Sequence, residues 1–288
     1  MSCVVVGLVT YDEELSSLLR YVQSLEIAAA NISDPTEVYL VHICNGDDIK
    51  LTSDSIQVCK IPSKGNIGYP RACNELWNIA FIDLNADYCI GANPDGAFFY
   101  NTIDELLKFA SKFPNTLVEA RQFPEEHPKI YDPVSFDTPW ASGCCLMVPR
   151  VVFHEIGLLD HNFFLYMEDV DYSWRTKLSG YAVKICPQAL YAHSVVGRAP
   201  SRFVQQCFLE SGRYLGYKWG CESFTKECEE QLLAGGYYDS NNKLPELSDE
   251  FLLPPTQETM EVTQFECQFS FAQTRWGGVE FDGSLNVQ

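Results

Sequence analysis

An α/β fold built on a mostly parallel central sheet flanked by helices is predicted by two observations: short apolar runs without alternation, and amphipathic helical stretches between them. Cys3 to Thr10 is β-branched and apolar throughout, as a parallel strand covered on both faces must be. A helix follows with Leu15, Leu18, Leu19, Val22 and Leu25 on one stripe, then a second strand from Val38 to Cys44. The pattern recurs as strand Ile56 to Ile61, helix Tyr69 to Ile82 and strand Tyr88 to Ala92. Beyond these come a helix near Ile103 to Phe113, strands Leu117 to Gln122 and Gly143 to Val148, a helix at Glu168, and a strand from Ala182 to Cys186. From Ser201 a helix runs through Phe203, Cys207, Tyr214 and Tyr217. Leu244 to Glu266 then carries six acidic residues and no basic one, interrupted by Pro245, Pro254 and Pro255, and reads as a loosely structured extension held by aromatic anchors. The expected organisation is a main domain over 1–222, with halves of about 1–96 and 97–222, and an acidic C-terminal extension over 223–288 that is helical at first and then irregular.

Composition narrows the function. The net charge of −19, with no basic run, argues against nucleic acid and against adsorption to anionic lipid. No apolar stretch approaches the ~18 residues of a transmembrane segment, and the first ten residues lack the basic start of a signal peptide, so a cytoplasmic protein is expected. The 12 cysteines show no C-x-x-C pair and lie mostly in apolar runs, which reads as buried thiols and not as zinc ligands or disulfides.

Polar residues at the ends of the strand-like runs are the candidate site, because ligands of parallel sheets gather at the carboxyl ends of the strands. Thr10-Tyr11, Asn45, Asn93-Pro94-Asp95-Gly96 and His193 all fall there. Neither a G-x-G-x-x-G nor a P-loop motif is present, which disfavours dinucleotide and P-loop enzymes. Lys64 to Asn74 enters a helix through Gly65 and Gly68, either as a phosphate cradle or as a plain helix start. Asn93 to Gly96 contains the four usual turn residues and could be a simple turn. The aromatic run Phe163-Phe164-Leu165-Tyr166-Met167 meets three carboxylates, Glu168, Asp169 and Asp171. Asp171 is accounted for by pairing with Arg175 at i+4; Asp169 is not explained by helix capping alone. Val170, Trp174 and Leu178 should face the core.

Taken in order, Val4 to Tyr11, Gly65 to Gly68 with Arg71 and Asn74, Asn93-Pro94-Asp95, Trp140 to Gly143, and Gly157 to Arg175 resemble the family 2 glycosyltransferases, most of all the rhamnosyltransferase-type branch. The resemblance covers about Met1 to Arg198. It implies a GT-A (Rossmann-like) fold, a nucleoside-diphosphate sugar donor, a divalent cation (Mn2+ or Mg2+) and inversion at the anomeric carbon, with the nucleotide-sugar half first. By the same resemblance Thr10, Tyr11, Asn45, Asn66, Gly68, Arg71, Asn74, Asn93 and Asp95 bind the donor. Asp95 and His193 hold the metal, with Asn93 standing where the family's Asp-x-Asp motif has its first acid. Trp140, Ser142 and Gly143 shape the acceptor side, the indole offering a flat face to a sugar. Asp169 is the general base, and Glu168 binds or orients the acceptor.

The expected activity is transfer of a hexosyl or rhamnosyl group to a glycan, lipid-linked or small hydroxyl acceptor in polysaccharide biosynthesis, at a membrane-bound assembly site where the acceptor demands it. A homo-oligomer is compatible with the sequence. The alternative is a catalytically silent nucleotide-sugar or glycan-binding subunit, motivated by Asn93 and the acidic extension and opposed by Glu168-Asp169 and His193. A sugar nucleotidyltransferase ranks last, because Tyr11-Asp12-Glu13-Glu14 is acidic where that class carries a basic glycine-rich loop.

Overall fold

The computed structural model describes residues 1–127, 129–193, 201–239, 241–263, 265 and 273–274. Eight strands, β1 (Ser2–Thr10), β2 (Thr36–Cys44), β3 (Gln57–Ile61), β4 (Tyr88–Ala92), β5 (Ala97–Phe98), β6 (Leu117–Glu126), β7 (Cys145–Pro149) and β8 (Val183–His193), form one sheet in the order β3-β2-β1-β4-β7-β6-β8-β5. The first four in that order are parallel, as the βαβ pattern requires. Beyond β4 the sheet is mixed: β7 runs antiparallel to both neighbours, β6 and β8 are parallel, and β5 closes the edge antiparallel to β8. A two-residue strand, β9 (Gln273–Thr274), pairs with the end of β6.

Strand β1 explains why the sheet's sequence lacks alternation. Val4, Val6 and Leu8 point to one core, where they meet Leu18, Val22 and Leu25 of α1 (Leu15–Ala30) and Ile103 and Leu106 of α3 (Thr102–Lys112). Val5 and Val9 point to the other, with Leu76 and Trp77 of α2 (Tyr69–Asn78) and Val152 and Phe153 of α4 (Arg150–Ile156). Both faces are therefore apolar and buried. The α1 stripe is rotated from the sequence expectation. Leu18, Tyr21, Val22, Leu25 and Ala28 face the core, whereas Leu15 and Leu19 are about half exposed. Burial follows the i, i+3, i+4, i+7 set that includes Tyr21, and Leu19 lies off that set.

A third core joins α5 (Glu168–Leu178) to α6 (Arg202–Lys218): Val170 and Trp174 meet Tyr214, Leu215 and Trp219, with Leu178 packed at its margin as expected. Helix α7 (Glu222–Ala234) packs on α6, where Arg213 pairs with Glu229. The acidic segment is ordered enough to place Leu247, Leu253, Val262 and Phe265 on the third core, and it includes the short α8 (Gln257–Val262). Residues 194–200, which the family resemblance reaches, and the end of the extension from 275 onward lie outside the described residues. Among the described residues no helix is long and apolar enough to cross a membrane.

His42 sits inside this sheet with no exposed surface, its Nε2 2.8 Å from Thr10 Oγ1. Burial first, and Lys60 second, push its pKa down from 6.5 to about 4. The folded state therefore binds fewer protons than the unfolded chain between these values, so stability falls as pH drops from about 6.5 toward about 4 and then levels. Subtracting urea-unfolding free energies of His42→Gln from those of the parent over this range should give a difference that shrinks toward acid; a pH-independent difference would contradict the buried neutral imidazole.

Candidate active site

The parallel register brings Thr10, Asn45 and Asn93 to one edge of the sheet, each at or just after the end of its strand. Asn45 and Asn66 meet there: Asn45 Nδ2 donates to Asn66 Oδ1 at 3.1 Å, Ile67 N donates to Asn45 Oδ1 at 2.9 Å, and Gly68 N donates to Asn66 Oδ1 at 3.1 Å. The two amides thus shape the loop that leads into α2, with Arg71 and Tyr11 exposed beside solvent. Gly68 has φ of 83°, and a Cβ there would stand 2.8 Å from Phe164 O, so glycine is required both by conformation and by close approach. That approach lets Tyr69 N donate to Phe164 O at 2.8 Å, joining the donor-side loop to the aromatic run before the carboxylates.

Asn74 does not belong with this group. Its amide donates to Leu159 O and accepts from Leu159 N, both at 2.9 Å, so it braces the loop before the carboxylate segment. It lines a cavity of about 460 Å³ with Leu159, Asp160, Arg175, Lys218 and Phe251, which contains none of the other expected site residues.

Asp95 and His193 come together across the sheet, with His193 Nε2 3.2 Å from Asp95 Oδ1. On the far side of the ring, Nδ1 lies 3.1 Å from Gln122 Oε1, while Gln122 Nε2 donates to Ser142 Oγ at 3.2 Å. Gln122 Oε1 can accept from Nδ1, which leaves Nε2 as the nitrogen facing the Asp95 carboxylate. An imidazole held by its other nitrogen beside a carboxylate oxygen is a usual metal half-site. The donor set therefore fits a hard divalent cation. No group of three or more His, Cys, Asp or Glu side chains with metal-binding spacing exists among the described residues, so the pair is incomplete without oxygens from elsewhere. The turn carrying Asp95 is fixed by Tyr191, whose hydroxyl donates to Asn93 O at 2.6 Å and whose ring fills the space a Cβ on Gly96 would need.

Glu168 and Asp169 open α5, where the helix dipole favours acids. The chain reaches this point through Tyr166 and Met167, both left-handed with φ of 72° and 66°. Two consecutive non-glycine residues in that region cost on the order of 1–3 kcal/mol each and persist only where the surroundings hold them. Here Ser211 Oγ of α6 donates to Leu165 O at 2.7 Å, and Met167 is buried in the third core.

The two carboxyls differ. Glu168 is buried, its Oε2 has no hydrogen-bond partner among the described residues, and burial followed by the Asp169 charge raises its pKa well above the usual carboxylate value. Asp169 is only partly covered; its Oδ2 accepts from Gly143 N and its Oδ1 from Val170 N, both at 2.8 Å. Its pKa is raised by dehydration, against the lowering effects of the Gly143 amide and the Lys129 charge.

Trp140 and Ser142 correct the sequence expectation. Both are buried; Lys129 Nζ sits 3.8 Å from the centroid of the indole, and His127 packs against it, so the ring is not an open platform for a sugar. Ser142 N donates to Glu119 Oε2 at 2.8 Å and Gly143 N holds Asp169. The strap from Trp140 to Gly143 thus supports the carboxylate from behind. Glu119, Gln122 and Lys129 were not expected at the site. A carboxylate and an amide inside the apolar run Leu117 to Gln122 were the available signal, since groups of that kind are buried only with partners. Lys129 gave none.

Comparison with known proteins bears on the fold and the class of the chain. No family model matches the chain. An N-acetylglucosaminyl-diphospho-decaprenol L-rhamnosyltransferase of Mycobacterium tuberculosis is 27% identical over 223 residues, covering 61% of this chain and 71% of the relative. A low-salt glycan biosynthesis hexosyltransferase of Haloferax volcanii, Agl10, is 22% identical over 179 residues, covering 54% of this chain and 58% of that protein. Among solved structures, the mannosyltransferase PcManGT from Pyrobaculum calidifontis in complex with GDP-Man and Mn2+ superposes with a TM-score of 0.52 at 13% identity, over 82% of this chain and 76% of that one. GalNAc-T7 with UDP, GalNAc and Mn2+ gives a TM-score of 0.52 at 13% identity; the chain is covered over 86% and spans 59% of that protein. Divalent cations accompany nucleotide and sugar ligands in both of these structures. The chain therefore has the fold of the GT-A glycosyltransferases, and in sequence it is similar to proteins named as a rhamnosyltransferase and a hexosyltransferase.

Proposed function

We propose that the chain transfers a sugar from a nucleoside-diphosphate sugar to a hydroxyl acceptor with inversion at the anomeric carbon, using Asp169 as general base and a divalent cation, Mn2+ or Mg2+, held by Asp95 and His193. One observation carries this reading. Two consecutive residues link the half-sites: Gly143 N donates to Asp169 Oδ2 at 2.8 Å, and Cys144 O accepts from Asn93 N at 2.9 Å. The carboxylate that would take a proton and the turn that would face the diphosphate are thereby fixed to one strap.

The donor would lie along the strand ends, its base and ribose beside Thr10, Tyr11, Asn45 and Asn66, its diphosphate toward Arg71, Gly68 and Asp95. A hard cation held by Asp95 and His193 would supply positive charge to the departing diphosphate. Asn93 contributes no charge, so Asp95 and His193 alone would bind an ion weakly until donor oxygens complete its shell. Asp169 receives the acceptor hydroxyl proton as that oxygen bonds to the anomeric carbon, and the carbon–oxygen bond to the diphosphate breaks with its electron pair leaving on phosphate. Dehydration raises the pKa of Asp169 against the lowering effects of the Gly143 amide and the Lys129 charge, and a raised pKa makes the carboxylate a stronger base. Glu168, with its pKa raised by burial and one oxygen without a partner among the described residues, is a hydrogen-bonding group for the acceptor. The names of the relatives make rhamnosyl and hexosyl nucleotides the first donors to try and a lipid-linked sugar the first acceptor. A lipid-linked acceptor would bring the chain to a membrane-bound assembly site.

Two measurements test the assignment. Asp169→Asn should lower transfer by about 10²–10⁴-fold, the usual worth of a general base, while calorimetry finds donor affinity near the parental value; turnover comparable to the parent removes Asp169 from the mechanism. Mn2+ affinity, followed by electron paramagnetic resonance, should rise when a nucleoside diphosphate is added and fall in both Asp95→Ala and His193→Ala. Equal affinity in parent and variants would dismiss the half-site.

A further inference from the structure

Lys129 and Glu119 form an ion pair behind Asp169 in which both side chains are almost fully buried. Such a pair gives a fold little net stability, because an apolar pair of the same volume does as well or better, so its presence here points to another role. Both partners reach the strap that carries the base. Lys129 Nζ donates to Trp140 O at 2.8 Å and lies against that indole, and Glu119 Oε2 accepts from Ser142 N at 2.8 Å. The next amide, Gly143 N, holds Asp169 Oδ2. On the other side Ser173 Oγ donates to Asp169 O at 2.7 Å and accepts from Ala141 N at 3.0 Å, so the strap and the first turn of α5 are tied at two levels.

We propose that Lys129 is a positioning residue for sugar transfer: paired with Glu119, it fixes the Trp140–Gly143 strap and places a positive charge behind Asp169. This rests on the reading of Asp169 as the base. Among the described residues, the other groups that face Asp169 are acidic or neutral. They are Glu168 on its own helix, Glu119 of β6, Cys144 of β7, Tyr69 of α2, and Asp95 beyond Cys144. Lys129 is the cation that acts on Asp169 from among them, and the interaction is mutual, since the Asp169 charge raises the Lys129 pKa against the burial that lowers it. Without that cation, Asp169 would hold its proton to higher pH and the fraction of enzyme with an ionised base would fall at the acid end.

The test is the pH dependence of transfer in Lys129→Met, followed through nucleoside diphosphate release. The rate relative to the parent should be lower near pH 6 than near pH 9 by roughly tenfold, with the acid limb moved to higher pH. A uniform loss at every pH, or an unmoved limb, overturns the proposal. If Lys129→Met does not fold, nitrogen-15 NMR of lysine-labelled parent and Asp169→Asn decides: the Lys129 amine should titrate at lower pH in Asp169→Asn, and identical titration in the two proteins overturns the coupling. Parental turnover by Asp169→Asn would instead remove the base itself, and with it the proposal, whatever Lys129→Met does.

Discussion

The entry into α5 governs the site. Tyr166 and Met167 take left-handed backbone conformations, and only that bend presents Glu168 and Asp169 at the strand ends with Val170 and Trp174 turned into the third core. Neither residue is suited to the conformation, so the strain must be met by what surrounds them. Helix α6 meets it: Ser211 holds Leu165, Tyr214 donates to Asp160 Oδ2 at 2.9 Å, and Lys218 bridges Asp160 and Asp171 at 2.8 and 2.6 Å. Arg175 and Trp219 complete the shell of Asp171, whose pKa is lowered because Arg175 and Lys218 outweigh its burial. The C-terminal helices are thus part of the scaffold that fixes the carboxylates.

Two buried ion pairs flank α5 with different consequences. The Lys218 cluster anchors the helix from the outside, and loss of one buried partner would cost about 3–5 kcal/mol by leaving a charge uncompensated. The Lys129–Glu119 pair lies on the inner side, where its hydrogen bonds end on the strap that touches Asp169. Stability arguments suffice for the first pair. For the second, the electrostatic effect on a partly exposed carboxylate is the larger matter, because in the proposed mechanism that group must lose its proton to act.

Much of this was legible in the sequence, and the limit has a physical form. Apolar runs and helical stripes marked the parallel strands because burial on two faces leaves no polar alternation. Asp171 with Arg175 was readable from the i+4 spacing, a local rule. Asp95 and His193 stand 98 positions apart and were paired through the family resemblance alone; their 3.2 Å approach follows from β5 and β8 lying edge to edge. The burial of Trp140 was not legible, because an indole looks the same in sequence whether it lines a groove or covers a buried ammonium. The bonds of Asn74 to Leu159 were hidden for a similar reason, an amide serving ligand or backbone equally well. The role of Lys129 depends on the path of the segment between β6 and Trp140, which no periodicity specifies.

What remains to be fixed is the donor. Purified protein should be offered a panel of nucleoside-diphosphate sugars with Mn2+, Mg2+ or chelator, and nucleoside diphosphate release followed, with water as the acceptor of last resort. The account predicts release from one donor or a narrow group of donors, abolished by chelation and restored by adding the ion back. Release untouched by chelator would contradict the role given to Asp95 and His193, and a chain that neither binds nor cleaves any donor would contradict the account as a whole.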